Sequence, residues 1–420
     1  MEQKFDAVII GGGAIGICSA YYLIKNGYSV AVIEKNEVGK ETSCSWGNAG
    51  LISPSHFVPL AAPGMVAKGL KWMFNPESPF YIHPRMDGDL LKWLWRYFRA
   101  SSEKTMRRGM PVLRDLTYES LQLFKKINAE EKISYGFEHR GLLMLHNTPA
   151  GEKANRHEAH LAEEIGVEAR ILDNVQLNAL EPHVKILSRG GLFFPNDAHL
   201  IPDQFVMSMA ELARKNGVAF FEKTEVLHFE KHENTVSFVV TKDGKIGGKQ
   251  FVLAAGSWSP KLLEKLSIAL PVQPGKGYSV TVQNPAHQPK IPFILTEARV
   301  AITPMGKALR FGGTLELSPV DLTINERRVK AILKAVPAYL DDMQLDKVNT
   351  HEAWAGLRPC SPDGLPFIGR FDGIHNLIAA TGHAMLGITL SPITGKLVSE
   401  IVMEQNPAVD ISPLSPNRYK

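Results

Sequence analysis

Three glycines near the amino terminus could bring backbone N–H groups against an anion. Gly11, Gly13 and Gly16 are spaced as GxGxxG, after the apolar run AVII and before a helical pattern. In such a turn the first glycine allows the tight bend and the second lets the backbone approach a pyrophosphate. The third packs the helix against the strand. A pyrophosphate would then lie at the helix N-terminus, where free N–H groups and the macrodipole favour an anion. The spacing predicts a dinucleotide-binding site.

An acidic residue completes this pattern. Glu34 ends a second apolar strand, SVAVIEK, about twenty residues after the turn, where a carboxylate accepts hydrogen bonds from ribose hydroxyls. A lone GxGxxG is weakly specific, but a strand–turn–helix–strand unit that ends in Glu is strongly specific. The neighbouring Ala14, Ile15 and Lys35 belong to the same predicted site. The alternative is a glycine-rich turn of another parallel fold.

Composition limits the class of protein. The chain has 420 residues, enough for two or three compact units, and its 44% hydrophobic and 21% charged residues are ordinary for a soluble globular enzyme. A net charge of +4 and the lack of a long Lys/Arg run argue against a nucleic-acid partner.

Cysteine usage and the length of the apolar runs indicate the cellular compartment of the protein. Cys18, Cys44 and Cys360 form no CxxC, and an odd number fits a reducing compartment better than a disulfide framework. No CxxC or HExxH spacing predicts a metal site. The first apolar run is a short strand rather than a signal peptide, and none approaches about 18 residues, so we expect a cytoplasmic protein.

The elements that must position these residues come from separated parts of the chain. The first unit closes near residue 55, a helix and strands resume near 203, and FVLAAG and NLIAATG are typical of buried parallel strands. We predict an α/β fold with a discontinuous Rossmann-like cofactor-binding domain and an α+β substrate domain on an antiparallel sheet. The predicted boundaries are 1–55, 194–260 and 354–420 for the first domain, and 56–193 and 261–353 for the second.

Four ordered blocks carry a family resemblance over nearly the whole chain. They are GGGAIG with Glu34, TSCSWGNAGLISP, VLAAGSWS, and GLRPCSPDGLPFIG followed by ATGHAMLGITLSPITG. Together they resemble the FAD-dependent D-amino acid oxidase and dehydrogenase superfamily. The NAGLISP loop, the KGYS segment and a long aromatic insertion are most similar to bacterial D-amino acid dehydrogenases. The resemblance implies that the dinucleotide is FAD.

The resemblance also implies which further residues hold the cofactor. Hydroxyl groups of the second block would reach phosphate or ribitol oxygens, and its short residues would let the backbone run along the isoalloxazine. Backbone groups elsewhere in the chain would hold the adenine of the cofactor and the pyrimidine edge of its flavin ring. The contact with the pyrimidine edge would come from a turn that opens the last helix. The implied residues are Thr42, Ser43, Ser45, Asn48, Ala49, Gly50, Leu51, Val226, Gly256, Trp258, Gly382, His383, Met385, Leu386 and Gly387. The alternatives are an ordinary polar loop for the second block and a strand valine for Val226.

Three residues are candidates for the substrate pocket. Family members use the Arg of GLRP, here Arg358, to bind the substrate carboxylate, and a guanidinium fork suits a carboxylate. A surface salt bridge is the alternative for Arg358. Tyr278 in KGYS and His56 in SPSHF are further candidates, although a satisfied loop histidine is the alternative for His56.

The expected reaction is FAD-dependent dehydrogenation of small D-amino or cyclic imino acids. D-proline-like substrates, including hydroxyproline, are favoured, with hydride passing from Cα to flavin N5 and electrons to a quinone-type acceptor. Met385 stands where glycine oxidases carry Arg, and 299–304 lacks their His and Tyr, which argues against glycine and sarcosine. An oxygen-using oxidase, an NAD-linked dehydrogenase and a non-catalytic flavin-loaded subunit are alternatives. A non-catalytic subunit would have no need for Arg358. An NAD-linked dehydrogenase would have no need for the later blocks.

Residues 57–100 are rich in aromatic and basic side chains. Apolar residues recur at helical spacing with basic ones between them, and two lysines flank Trp72. These are Leu90, Leu91, Leu94, Trp95 and Phe98, with Lys92, Arg96, Arg99, Lys68 and Lys71. The pattern is typical of a helix in a lipid interface and predicts peripheral contact with the inner face of the membrane, or quinone access. Packing of the same stripe on the substrate domain is the alternative.

Overall fold

The computed structural model describes residues 3–73, 75, 77–83, 85, 87–345 and 348–420, without the side chains of 3, 68, 70 and 71. Nineteen strands and ten helices lie in these ranges. The strands are β1 Gln3–Ile10, β2 Val30–Ile33, β3 Leu51–Ile52, β4 Phe80–Ile82, β5 Leu142–His146, β6 Arg170–Asp173, β7 Gly190–Phe194, β8 Ala198–His199, β9 Ala219–Phe221, β10 Val226–His232, β11 Thr235–Thr241, β12 Gly244–Leu253, β13 Gln273–Gln283, β14 Phe293–Leu295, β15 Val300–Met305, β16 Ala308–Leu317, β17 Trp354–Cys360, β18 Phe367–Arg370 and β19 Leu377–Thr381. The helices are α1 Ala14–Lys25, α2 Met65–Trp72, α3 Gly88–Ala100, α4 Glu103–Glu130, α5 Pro149–Glu164, α6 Asn174–Leu180, α7 Pro202–Lys215, α8 Ser259–Leu263, α9 Glu326–Ala335 and α10 Ser391–Val402.

The first sheet is the predicted Rossmann-like one. Its parallel strands lie in the order β9-β2-β1-β12-β19, with β18 antiparallel at one edge and a β10–β11 hairpin on the first half of β12. Continuous apolar runs such as VAVI in β2 are buried on both faces, as parallel strands require. Helices α1, α7 and α10 cover one face and share one apolar core. Ligands of such sheets bind at the carboxyl ends of the strands.

The second sheet has nine strands and is mostly antiparallel. Its order is β17-β13-β16-β15-β14-β5-β7-β6, with β4 beside β16. Among the strand pairs that the described residues form in this sheet, β14–β5 and β16–β4 are parallel and the others antiparallel. Strands β13 and β16 alternate inward apolar residues such as Val280 and Phe311, which pack with α9. The predicted fold class, α/β with a Rossmann-like domain and an α+β domain on an antiparallel sheet, is therefore confirmed.

One strand lies on the other side of a predicted boundary. The boundary at residue 354 assigns β17 to the cofactor-binding domain, but β17 pairs with β13 in the second sheet from Gln273–Cys360 to Ser279–Trp354. Pairing with the long strand β13 satisfies the backbone of β17, and the sequence alone does not reveal that partner. The other domain boundaries stay predictions.

Helix α3 divides its apolar residues between two environments. Leu90 and Trp93 are buried, and Trp93 packs with Leu315 and Leu317. Leu91, Trp95 and Phe98 are 58%, 60% and 57% exposed. The expectation that Leu90 belongs to the exposed stripe is therefore wrong, because the helix turns it toward the core. The side chains of Lys68 and Lys71 lie outside the described part of the chain. Across the described helices, none is long and apolar enough to cross a membrane.

Candidate active site

A cavity of about 1300 Å³ is lined by residues of both sheets. Single-ligand pockets usually hold about 300–1,000 Å³, so this one has room for a cofactor and a substrate together. Every predicted site residue lines it except Gly16, Gly50 and Gly382. Those three face neighbouring groups instead, namely the carbonyls of Gly11 and Leu200 and the ring of Phe367.

The amino end of α1 forms one wall. The helix begins after Gly13, has no acidic residue in its first turn, and receives one side-chain contact there, from the Ser45 hydroxyl that accepts the Ala14 N–H at 3.2 Å. Gly16 packs so closely that a Cβ atom would overlap the Gly11 carbonyl. This close packing brings the helix N-terminus to the strand end, where its N–H groups can receive a pyrophosphate.

Glu34 lies beside this turn. Its Oε2 accepts the Gly12 N–H at 2.8 Å and its Oε1 accepts the Asn36 N–H at 3.0 Å. A carboxylate has about four acceptor sites, so Glu34 retains capacity for ribose hydroxyls. The carboxylate therefore stands next to the anion site at the position that the fingerprint predicts.

Lys35 and Trp258 meet in the wall of the cavity. The Lys35 Nζ lies 3.8 Å from the centroid of a Trp258 ring, which is a cation–π contact. Burial lowers the pKa of the Lys35 ammonium below its ordinary value. Val226, the first residue of β10, is buried beside them and also lines the cavity.

An arginine that the sequence analysis missed holds the loop containing residues 42–51. Arg310 of β16 is 4% exposed, and its Nη1 donates to the carbonyls of Trp46 and Asn48, both at 2.8 Å. Its Nε donates to Thr281 Oγ1 at 3.0 Å. Burial lowers the pKa of Arg310 to about 10, so the guanidinium stays charged at neutral pH. In the sequence, Arg310 resembles any basic residue of a strand.

The turn at 382–387 reaches the cavity next to β17. The backbones of Cys360 and His383 form an isolated antiparallel β-bridge. The His383 Nε2 atom lies 3.0 Å from Thr394 Oγ1. Burial lowers the pKa of His383 to about 3, so the ring is neutral. The expectation that this turn opens the last helix is wrong: a 3₁₀ turn at Ala384–Leu386 follows, and α10 begins only at Ser391, with Pro392 in its first turn.

Arg358 lies at the second end of the cavity. Its Nη1 donates to the Thr314 carbonyl at 2.8 Å, and the guanidinium passes over Gly277, where a Cβ atom would overlap it. Within the described ranges, no carboxylate forms an ion pair with Arg358. Burial raises the pKa of its neighbours Cys44 and Cys360 to about 11 and about 12, so both are neutral thiols. A partly buried cation without a counter-ion among the described residues predicts an anionic ligand.

A β-bulge positions the carbonyl that Arg358 binds. The pairing of β13 with β16 shifts between Lys276 and Tyr278, so Thr314 and Leu315 together face Gly277. Thr314 has φ of 63°, which is uncommon for a β-branched residue, and its buried Oγ1 has no partner in the described structure. Bulges and strained residues concentrate at functional sites, and this one was missed because one sequence does not reveal register.

The remaining substrate-pocket candidates have different surroundings. The Tyr278 hydroxyl donates to Glu316 Oε2 at 3.1 Å, in a buried group with Arg328, whose Nε is 3.5 Å from Glu316. His56 lines the cavity, and burial, with a smaller effect from Arg299, lowers its pKa to about 4. Catalytic roles for Tyr278 and His56 stay predictions.

The parallel sheet with a glycine turn at a helix N-terminus is the architecture of a dinucleotide-binding domain, and its cavity also contains the guanidinium of Arg358. A sequence model described as DAO, FAD dependent oxidoreductase, matches residues 6–401, and the chain belongs to this family. It is an FAD-dependent oxidoreductase. The hydroxyls, short loop and glycine turn described above fit FAD, and they would hold its phosphates, ribose and ring.

Relatives match over nearly the full length. The chain is 33% identical to D-amino acid dehydrogenase of Methylobacterium radiotolerans over 98% of this chain and 99% of the relative. It is 31% identical to D-amino acid dehydrogenase of Vibrio atlanticus over 99% of this chain and 100% of the relative. Glycine oxidase from Geobacillus kaustophilus is similar in fold, with a TM-score of 0.79 and 23% identity over 99% of both chains.

Proposed function

We propose that this enzyme dehydrogenates small D-amino or cyclic imino acids, with D-proline-like rings favoured, and passes the electrons to a quinone-type acceptor. The observation that carries the proposal is Arg358, a partly buried guanidinium that lines the cavity without a carboxylate partner in the described structure. The names of the full-length relatives, D-amino acid dehydrogenases, support the same substrate class.

The chain's own residues bind and orient the substrate. The free edge of the Arg358 fork takes the carboxylate, while Thr314 fixes the other edge, so the Cα–H has one orientation. FAD, when bound, supplies the hydride acceptor. The imino product then leaves as a ring imine, or hydrolyses to a 2-oxo acid and ammonia.

Apolar and short side chains in the cavity wall support the ring preference. Met385, Ala49, Ala301 and Leu357 line the cavity with apolar or short side chains. An aliphatic ring gains from contact with such a wall, whereas a large charged side chain would lose its hydration there.

The acceptor proposal rests on α3. Leu91, Trp95 and Phe98 lie on one exposed face, and Trp95 stacks on Phe98 at 6.1 Å between centroids. Phe98 also lines the cavity, so this face adjoins its opening. Lys92 beside the stripe is 75% exposed. An apolar face with basic neighbours suits an anionic lipid surface, where a quinone would be at hand.

A D- and L-amino acid panel, including both prolines, tests the reaction. FAD-loaded protein is mixed anaerobically with each compound, and the flavin absorbance is followed. The reduced enzyme is then mixed with a soluble quinone or with oxygen. The proposal expects D-compounds, small or cyclic, to reduce the flavin fastest and the quinone to reoxidise it faster than oxygen. Faster reduction by an L-amino acid, or faster reoxidation by oxygen, contradicts the respective part.

Cosedimentation with anionic liposomes tests the membrane part separately. Wild-type protein should pellet with the vesicles at low salt and be released at high salt, because the basic side chains contribute electrostatic attraction. Protein that stays in the supernatant at low salt would contradict it.

A further inference from the structure

A buried carboxylate near the cavity is not used by the chemistry described so far. Asp197 immediately precedes β8 and is 1% exposed. Its Oδ2 accepts the Ser55 hydroxyl at 2.6 Å, and its Oδ1 accepts the Ser55 N–H at 3.1 Å. Within the described ranges it forms no ion pair with a basic side chain. A carboxylate in this position needs a reason, since an isolated buried charge is costly.

The contacts of Asp197 continue to the cavity. Ser55 is 1% exposed, and its Oγ lies 3.2 Å from His56 Nδ1. His56 in turn lines the cavity that contains Arg358. When Asp197 is ionised it can only accept, so the Ser55 proton points to Asp197 and Ser55 Oγ accepts from His56 Nδ1–H. This assigns the tautomer of His56: Nε2 carries a lone pair.

The local fold fixes this chain of three residues. Strand β3, just before Ser55, pairs with β8, just after Asp197, through Leu51–His199 and Ile52–Ala198. The two-stranded pairing brings together segments that are 142 residues apart in sequence. The strand pairing therefore holds Ser55 and Asp197 close together.

We propose that His56, Ser55 and Asp197 form a proton relay that takes the proton from the substrate's ammonium group. The proposal rests on the proposed function, because an amino acid binds as an ammonium ion and must become a neutral amine before hydride can leave Cα. The N–H bond of the ammonium breaks as His56 Nε2 gains a proton. His56 Nδ1–H passes its proton to Ser55, and the Ser55 O–H proton passes to Asp197. Each group ends with its original charge except Asp197, which becomes neutral.

The charged and titratable groups around the relay agree with this direction. Burial, with a smaller contribution from Glu158 of α5, raises the pKa of Asp197 to about 7. Burial and, to a smaller extent, the charge on Asp197 raise the pKa of Tyr118 of α4. Arg299, in the β14–β15 turn, disfavours a charged His56. The proton is therefore not held on His56, while Asp197 can accept and release it near neutral pH.

The pH dependence of flavin reduction tests the relay. In FAD-loaded wild type, anaerobic reduction by D-proline should rise with pH through about 7, as Asp197 ionises. Asp197→Asn and Ser55→Ala should lose about 10- to 100-fold near neutral pH. Both should recover at high pH, where the amine is already neutral. Ser55→Thr, which keeps a hydroxyl, should restore part of the rate that Ser55→Ala loses near neutral pH.

A structural role predicts a different result. If Asp197 only holds the 53–57 loop, Asp197→Asn lowers the rate equally at every pH, and that outcome overturns the relay. Glu158→Gln gives a second readout: removing its charge should shift the wild-type inflection to lower pH. An unchanged inflection overturns the assignment to Asp197.

One measurement separates failure of the relay from failure of the proposed function. If no D-amino acid reduces wild-type flavin at any pH, the proposed function is wrong, and nitrogen NMR of histidine-labelled holoenzyme still judges the hydrogen-bonded chain. The Nδ1–H tautomer at His56, lost in Asp197→Asn, supports the chain. An Nε2–H tautomer in wild type overturns it.

Discussion

The two ends of the cavity are built in different ways. The end that we expect to hold FAD is lined mostly by backbone and short side chains from 11–15 and 42–51, with Glu34 and Lys35 beside them, and these segments are close together in sequence. The other end contains the guanidinium of Arg358, from β17 of the second sheet, and we expect this end to bind the substrate. Backbone N–H groups at a helix N-terminus suit a pyrophosphate, whereas the planar fork of an arginine suits a small carboxylate.

The largest expected effect removes the charge at the substrate end. Arg358→Leu should lower kcat/KM by about 30-fold to several thousand-fold, because a charge-assisted pair in a buried site is worth about 2–5 kcal/mol. FAD should remain bound, since the cofactor end is untouched. Steady-state kinetics and the flavin spectrum check both statements. A variant within about threefold of wild type would remove Arg358 from the substrate site.

A smaller effect should follow from moving the same guanidinium. Gly277→Ala places a Cβ atom where Arg358 now lies, and a displacement of about 1 Å costs about 100-fold in such sites. Gly88→Ala, at a position with no neighbour within 4 Å, is the matched control and should keep wild-type kinetics. Equal activity of the two variants would contradict the close approach at Gly277.

Arg310 joins the two ends, so its loss should affect the cofactor. Arg310→Met leaves the carbonyls of Trp46 and Asn48 without a donor, which costs about 2 kcal/mol, or about 30-fold in FAD affinity. Fluorescence titration of apoprotein with FAD measures the change. Arg310→Lys keeps the charge and should lose less. Unchanged FAD affinity in Arg310→Met would show that the loop containing residues 42–51 keeps its conformation without Arg310.

The smallest effect on the folded protein should come from α3. Replacing Leu91, Trp95 and Phe98 together by Ser should change the free energy of unfolding little, by about 0.5 kcal/mol or less for each exposed site. Binding to anionic liposomes should fall strongly. Denaturant unfolding and cosedimentation measure the two quantities. A large loss of stability would mean that this face is part of the core.

The contrast between the ends also explains what the sequence could predict. Gly11, Gly13, Gly16 and Glu34 act within one strand–helix–strand unit, so their spacing alone carries their geometry. Arg358 was predicted only through a resemblance, because nothing local distinguishes it from a surface arginine. The missing counter-ion that marks it is a property of the folded cavity.

Long-range contacts account for the residues that were missed. Arg310 reaches carbonyls 262 and 264 residues away, and its role depends on the packing of one sheet against a loop of the other. The bulge at Thr314 depends on strand register, which one sequence does not fix. Asp197 joins Ser55 only through the β3–β8 pairing. In each case the contact depends on a long-range pairing that the local sequence pattern does not determine.

The central claim is that Arg358 recognises the carboxylate of a D-amino acid. The most direct measurement compares anaerobic flavin reduction by the best D-amino acid of the panel, its amide and its L-enantiomer, in wild type and Arg358→Leu. Wild type should prefer the D-acid over its amide by at least about 30-fold, and the variant should treat acid and amide alike. Faster reduction by the L-enantiomer, or an acid-over-amide preference that survives in Arg358→Leu, would contradict the claim.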